Sequence, residues 1–154
     1  MEGKSVLESK AEMSLTMMPS DANPQGNVFG GVILKYVDQI AAIVAKRHTR
    51  SNVVTASIDR VSFLKPVYIG NILLLSARLN HVGHSSMEIE VTIEAEDTDT
   101  GSRVHTGTAF VTMVALDNKG RPASAPPLLL TNEEERRRFH EAEDRRKKRL
   151  AELT

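Results

Sequence analysis

The chain has 154 residues, with 20 lysines and arginines against 20 aspartates and glutamates, so its formal net charge is zero. That length suits one domain with a real core, and balanced charge with only 4% aromatic residues argues against a nucleic acid or an anionic membrane as partner. The absence of cysteine excludes disulfides, thiolate metal sites and a cysteine nucleophile, and fits a reducing, cytoplasmic setting.

The opening stretch MEGKSVLESKAEM has no apolar run long enough for a signal peptide or a membrane span, so neither is expected. Residues 8–18 read as a first strand that ends before Pro19. The segment PSDANPQGN (19–27) is a turn-rich loop, because Pro, Asp, Asn and Gly each favour non-helical backbone. From Gly30 or Gly31 to about His48 the chain should be helical. Its Leu, Ile, Val and Ala residues make an apolar cylinder on nearly every side, which implies burial.

Four strand-like stretches follow. The first, 52–67, is long and β-branched, and Gly70-Asn71 then makes a turn before 72–82. Gly83 opens another turn, and 86–97 alternates: Met87, Ile89, Val91, Ile93 and Ala95 face one way, Glu88, Glu90, Thr92 and Glu94 the other. That is a half-buried strand with a wet face. TDTG (98–101) is a hairpin turn into a last strand, 102–117, and NKGRPASAPP (118–127) ends the sheet. Residues 131–153 form a helix with eight basic and seven acidic residues, with Thr131 as the expected N-cap and Glu134 as its capping-box partner. It reads as a solvated helix laced by i,i+4 pairs, with protein contact as the alternative.

No internal repeat is visible. Strands joined by tight turns favour an antiparallel sheet, and five strands wrapped around one apolar helix bury that helix. The expected fold class is therefore α+β, the hotdog architecture, with a domain over 1–130 and a charged C-terminal helix over 131–154.

Chemistry concentrates where the loop enters the long helix. Gly30 and Gly31 let a ligand approach their backbone, and the first N–H groups of a helix are unpartnered and partly positive. Such a site suits an anion, or a carbonyl oxygen that becomes anionic in a reaction. The other reading of the pair is close packing of the helix on the sheet. Asp38 sits mid-helix on a stripe with Gly31, Leu34, Ala41, Ala42 and Ala45. A carboxylate buried there must be offset by a salt bridge with Lys35, by a core hydrogen bond, or by a role in catalysis. Asn23, in the preceding loop, is read either as Asx-type turn chemistry or as an amide that orients a water or a carbonyl.

Eight residues separate Gly30 from Asp38, about 12 Å along a helix. A carbonyl held at Gly30 is out of reach of Asp38 on the same helix. Two antiparallel copies would bring one chain's Asp38 beside the other's Gly30, so the spacing points to a two-fold dimer with shared sites. His48, His81, His84, His105 and His140 show no H-x-x-x-H or H-E-x-x-H grouping, and G-x-S-x-G is absent, so neither a catalytic metal nor a serine hydrolase elbow is expected. His105 reads as structural.

The segments MMPSDANPQGNVFGGVILKYVDQIAAIVAKRH and VTASIDRVSFLKPVYIGN resemble the hotdog-fold acyl-CoA thioesterases, in particular the bacterial short acyl-CoA thioesterases and the brain-type cytosolic acyl-CoA hydrolases. The likeness runs from about Met17 to Asp117. The resemblance implies hydrolysis of acyl-CoA to a free fatty acid and CoA, without metal or cofactor. It implies Asp38 as general base or nucleophile, the Gly30 and Gly31 amides polarising the thioester carbonyl, and Asn23 completing the site from the neighbouring subunit. For the CoA end it suggests Gly83, His84, Ser85 and Ser86 with Lys65 as a charge partner, and for assembly a homodimer within a homohexamer. The alternative function is a non-hydrolytic hotdog acyl-CoA sensor. A hotdog dehydratase ranks last, because the central position holds Asp38 and His48 lies at the far end of the helix.

Overall fold

The structure is a computed structural model that describes residues 1–153. Its centre is α1 (Gly30–Thr49), and the strands are β2 (Ala11–Thr16), β3 (Asn52–Asp59), β4 (Ile72–Val82), β5 (Ser86–Glu96) and β6 (Arg103–Leu116). They form one antiparallel sheet in the order β2-β4-β5-β6-β3. Two-residue strands β1 (Lys4–Ser5) and β7 (Leu128–Leu129) pair in parallel beside it, and α2 (Glu133–Glu152) closes the chain. This is the expected hotdog arrangement.

The core lies between α1 and the inner face of the sheet. Met87, Ile89, Val91, Ile93 and Ala95 of β5 are all buried there, as the alternation requires. They meet Leu73, Leu75 and Leu79 of β4, Val111 and Met113 of β6, and Val37, Ile40 and Val44 of α1. Each such aliphatic side chain taken out of water contributes about 1.5–3 kcal/mol before conformational entropy is subtracted.

Four local features differ from the sequence expectation. The stretch 52–67 is not one strand, because β3 ends at Asp59 and Arg60 turns left-handed (φ 51°). Residues 60–66 then cross over β6, where the Leu64 amide donates to the Thr106 carbonyl at 2.8 Å. The first strand begins only at Ala11, since Val6–Glu8 form a 3-10 turn. Helix α1 is not buried all round: Ile33, Val37, Ile40, Ala41, Val44, Ala45 and His48 are buried, whereas Gly31, Lys35, Gln39, Ile43 and Lys46 form an exposed stripe. The cap of α2 is Asn132, whose side chain accepts from the Glu135 amide at 2.8 Å, while the Glu135 carboxylate accepts from the Thr131 amide and hydroxyl.

Helix α2 is also more than a solvated helix with local pairs. It lies on the outer face of the sheet, where Arg145 makes a two-pronged contact with Glu88 (2.8 and 2.7 Å) and Arg138 reaches Glu90 at 2.8 Å. Asn80 donates to both carboxylates, and Arg149 reaches Asp59 at 3.2 Å. The wet face of β5 is thus the docking surface for α2.

Candidate active site

The loop before α1 is built from backbone bonds to a second loop. The Val28 amide donates to the Val67 carbonyl at 2.7 Å, the Ile69 amide to the Gly26 carbonyl at 3.2 Å, and Gly26 takes φ 88° to make the turn. Asn23 performs the turn chemistry: its Oδ1 accepts from the Gln25 and Asn27 amides at 3.0 and 3.1 Å. Its Nδ2 has no hydrogen-bond partner among the described residues and remains a donor. The turn reading of this residue is therefore observed, and the turn occupies only one end of the amide.

The glycine pair separates into two cases. A Cβ on Gly30 would lie 3.1 Å from the Phe63 ring, whereas a Cβ on Gly31 would meet nothing within 4 Å outside its own helix. Packing against the sheet therefore gives no reason for glycine at 31. Neither the Gly30 nor the Gly31 amide finds an acceptor among the described residues, as the first turn of a helix leaves them. Phe29, the residue before them, is half exposed and offers no side-chain cap.

Asp38 is half-buried on the side of α1 that faces β3. The Thr55 hydroxyl donates to its Oδ1 at 2.5 Å. Lys35 does not pair with it; the Lys35 ammonium lies 5.3 Å from the Tyr36 ring centre instead. Thr55 immediately precedes a β-bulge, because it pairs with Met113 while Ser57 pairs with Thr112. Bulges re-aim side chains locally, and this one sits where β3 meets the acid. Thr55 is not among the residues expected from the sequence. Its only advance signal was the requirement that a mid-helix carboxylate have a donor, and seventeen residues separate the two.

Within one chain the pieces stay apart. Asp38 lies two turns beyond Gly30, about 12 Å along the helix axis. The other edge of β3 has no strand partner among the described residues, and Val54 on it is 47% exposed.

The residues suggested for the CoA end are not together either. Lys65 lines an open cavity of about 590 Å³ with Tyr68, Asn71 and Val104, at the start of β4. Gly83, His84, Ser85 and Ser86 form the tight turn after β4, where the Gly83 amide donates to the Ser86 carbonyl at 2.8 Å. The eleven residues of β4 between them span about 35 Å. That turn lies instead near the C-terminal end of α1: the His84 carbonyl accepts from the Ala125 amide at 2.7 Å, next to Pro126, whose carbonyl is 2.6 Å from His48 Nε2. His84 itself is exposed.

Among the described residues no three His, Cys, Asp or Glu side chains group as a metal site would need, and no helix is long and apolar enough to cross a membrane. Two histidines are held below their ordinary pKa, both mainly by burial. His48 is opposed by its bond to Pro126, and His81, stacked 4.3 Å from Phe139, by the nearby Glu143 carboxylate. His105 is exposed, 3.4 Å from the Thr108 hydroxyl.

Comparison with known proteins places this geometry. The family model described as "Thioesterase superfamily" matches residues 25–102. An uncharacterized acyl-CoA thioester hydrolase of Bacillus subtilis, YkhA, is 42% identical over 77% of this chain and 69% of its own length. The chain also matches mammalian cytosolic acyl coenzyme A thioester hydrolases, but spans only 34% of their length. Among solved structures, an apo-hexameric acyl-CoA thioesterase superposes with a TM-score of 0.94 at 36% identity, covering 100% of this chain and 99% of that one. An acyl-CoA hydrolase from Staphylococcus aureus, solved with butyryl coenzyme A, coenzyme A and coenzyme A disulfide, gives 0.89 at 36% identity over 97% and 92%. That hydrolase has also been solved with an aspartate, an asparagine or a threonine changed to alanine. Their spacing along its chain, asparagine 15 residues before the aspartate and threonine 17 after it, is that of Asn23, Asp38 and Thr55 here.

Proposed function

The chain belongs to the thioesterase superfamily, and from that premise we propose that it hydrolyses acyl-CoA to a free fatty acid and CoA at a site shared between two subunits. Two chains join across the free edges of β3 with their α1 helices antiparallel, as closed two-fold symmetry allows. Asp38 of one subunit then faces Asn23 and the Gly30 and Gly31 amides of the other. The amides take the thioester carbonyl oxygen and stabilise the charge it gains, a role worth about 10²–10³ in rate per donor where it has been measured. Asp38, fixed by Thr55 through Oδ1, keeps Oδ2 for the reaction. It removes a proton from a water oriented by the free Nδ2 of Asn23; the water oxygen bonds to the carbonyl carbon, the C–S bond breaks, and the proton passes to the departing thiolate. In a second route Asp38 itself attacks the carbonyl and expels the thiolate, giving an acyl–aspartyl anhydride that water then cleaves to the fatty acid and free Asp38; it differs from the first by that covalent intermediate. No metal or cofactor enters either route. The hexameric form of the neighbour with full coverage supports assembly of these dimers into a homohexamer.

The observation that carries this reading is the lone carboxylate held by Thr55 at β3, on a helix whose first two amides are open. Its test is release of free thiol from acyl-CoA by the purified protein and by Asp38→Asn. Wild-type turnover with a loss of at least about 10²-fold in kcat is expected. Stabilisation by CoA without any turnover would instead indicate a sensor, and unaltered turnover in Asp38→Asn would remove the acid from the mechanism.

A further inference from the structure

The segment that crosses β6 between Arg60 and Pro66 has an unusual composition for an outer loop. Phe63 is 43% exposed and Leu64 66% exposed, so the loop displays these two apolar side chains only partly covered by its own chain. It is nonetheless fixed. Arg60 turns it with a left-handed backbone, Val67 is buried at its end, and in its middle the Leu64 amide is bonded to the Thr106 carbonyl. The closest approach is at Gly107, where a Cβ would stand 2.5 Å from the Ser62 carbonyl oxygen. No real Cβ tolerates that, so only glycine at 107 lets the backbone lie as it does. The residue after Ser62 is Phe63, and its ring edge lies 3.1 Å from where a Gly30 Cβ would be.

These contacts form a chain from β6 to the start of α1: Gly107 admits Ser62, Ser62 sets Phe63, and Phe63 covers one flank of Gly30. We propose that Phe63 is the wall that limits bulk at the acyl carbon next to the thioester, and that Gly107 is the positioning residue that keeps it there. The proposal rests on the hydrolysis reading above. A carbonyl oxygen about 2.9 Å from the Gly30 amide stands at the helix start whose flank the Phe63 ring covers, and the proposal places the neighbouring acyl carbon against that ring. Unbranched acyl groups pass the ring edge, and a methyl branch at that carbon collides with it. The selected substrates are therefore straight-chain acyl thioesters, irrespective of where the far end of the chain runs.

Butyryl-CoA and isobutyryl-CoA test this directly, because they are isomers that differ only at that carbon. The readout is the ratio of kcat/KM for isobutyryl-CoA to that for butyryl-CoA. Phe63→Ala should raise it at least about tenfold, as adding or removing room for one methyl does in hydrophobic pockets. Phe63→Trp should lower it. Gly107→Ala, which leaves Phe63 intact and must displace Ser62, should shift the ratio away from the wild-type value by more than twofold. The mass of the assembly in solution is measured alongside. A ratio unchanged within twofold in Phe63→Ala and Phe63→Trp, both still hydrolysing butyryl-CoA, overturns the proposal and leaves the hydrolysis reading standing. The same unchanged ratio with a fall in the mass of the assembly overturns it too, by assigning Phe63 to a subunit contact. Absence of turnover in the wild type overturns the hydrolysis reading and this one with it.

Discussion

Thr55→Val removes the hydroxyl that donates to Asp38 Oδ1 at 2.5 Å and keeps nearly the same volume in a strand that favours β-branched residues. A hydrogen bond to a charged group contributes about 1.5–3 kcal/mol. If that bond serves to aim the carboxylate in the transition state, its loss converts at 1.36 kcal/mol per tenfold into a fall in kcat of about 10- to 150-fold. KM should change little, because the role proposed for Thr55 is to aim the acid rather than to bind substrate. Its second neighbour, the Met113 sulfur at 3.5 Å, is a weak acceptor that valine can replace by contact. Thr55→Ser restores the donor and should recover most of the loss. Steady-state thiol release gives both constants, and thermal unfolding checks that the variants remain folded. A Thr55→Val enzyme with kcat within twofold of wild type, or a loss that Thr55→Ser fails to repair, would refute the reasoning.

The outer face and the ends of α1 carry their own predictions. Arg145→Met should destabilise the protein by about 1–3 kcal/mol in urea unfolding, since it strands the Glu88 carboxylate with Asn80 alone; the low end is expected because Arg145 keeps part of its surface in water. Arg145→Lys, with one prong instead of two, should fall between. His48 is buried with Nε2 donating to Pro126 and no partner for Nδ1, and burial holds its pKa below 6.5. The folded chain therefore refuses a proton that the unfolded chain accepts, so stability is full above about pH 6.5 and declines as the pH falls toward the lowered folded value. Unfolding curves from pH 7.5 to 5 should show that decline, and His48→Gln should flatten it; an equal slope in the variant would assign the effect to other groups, His81 first among them.

The parts legible in the sequence are those where side chain and backbone report the same thing locally. The period-two alternation of β5 named its inner face residue by residue, and the paired glycines marked the first turn of α1. The crossing segment 60–66 was hidden because Val61, Phe63 and Val67 continue the β-rich composition of β3, while the turn at Arg60 needs no glycine to announce it. The cap of α2 was misplaced by one residue because Thr131 and Asn132 are both good caps, and it is Glu135 rather than Glu134 that reaches back to Thr131. The docking of α2 was invisible for another reason. Glu88 and Glu90 look like solvent-facing charges until Arg138 and Arg145, about fifty residues later, are laid over them. At the candidate site the acid, the asparagine and the glycines could be found from the sequence. Thr55 could not, since the bulge that aims it is a property of the paired sheet.

A site divided between two chains is the central claim, and subunit mixing measures that division. Asp38→Asn and Asn23→Asp are each expected to be inactive, and Asn23→Asp keeps the Oδ1 that the Gln25 and Asn27 amides need while deleting the free donor. After unfolding and refolding together, each mixed dimer should hold one intact site and one doubly defective one. Random pairing therefore predicts recovery of about 25% of wild-type turnover, rising and falling with the fraction of mixed dimers. Mixed dimers that form, as shown by two distinguishable tags, and yet remain as inactive as either parent would contradict the shared site.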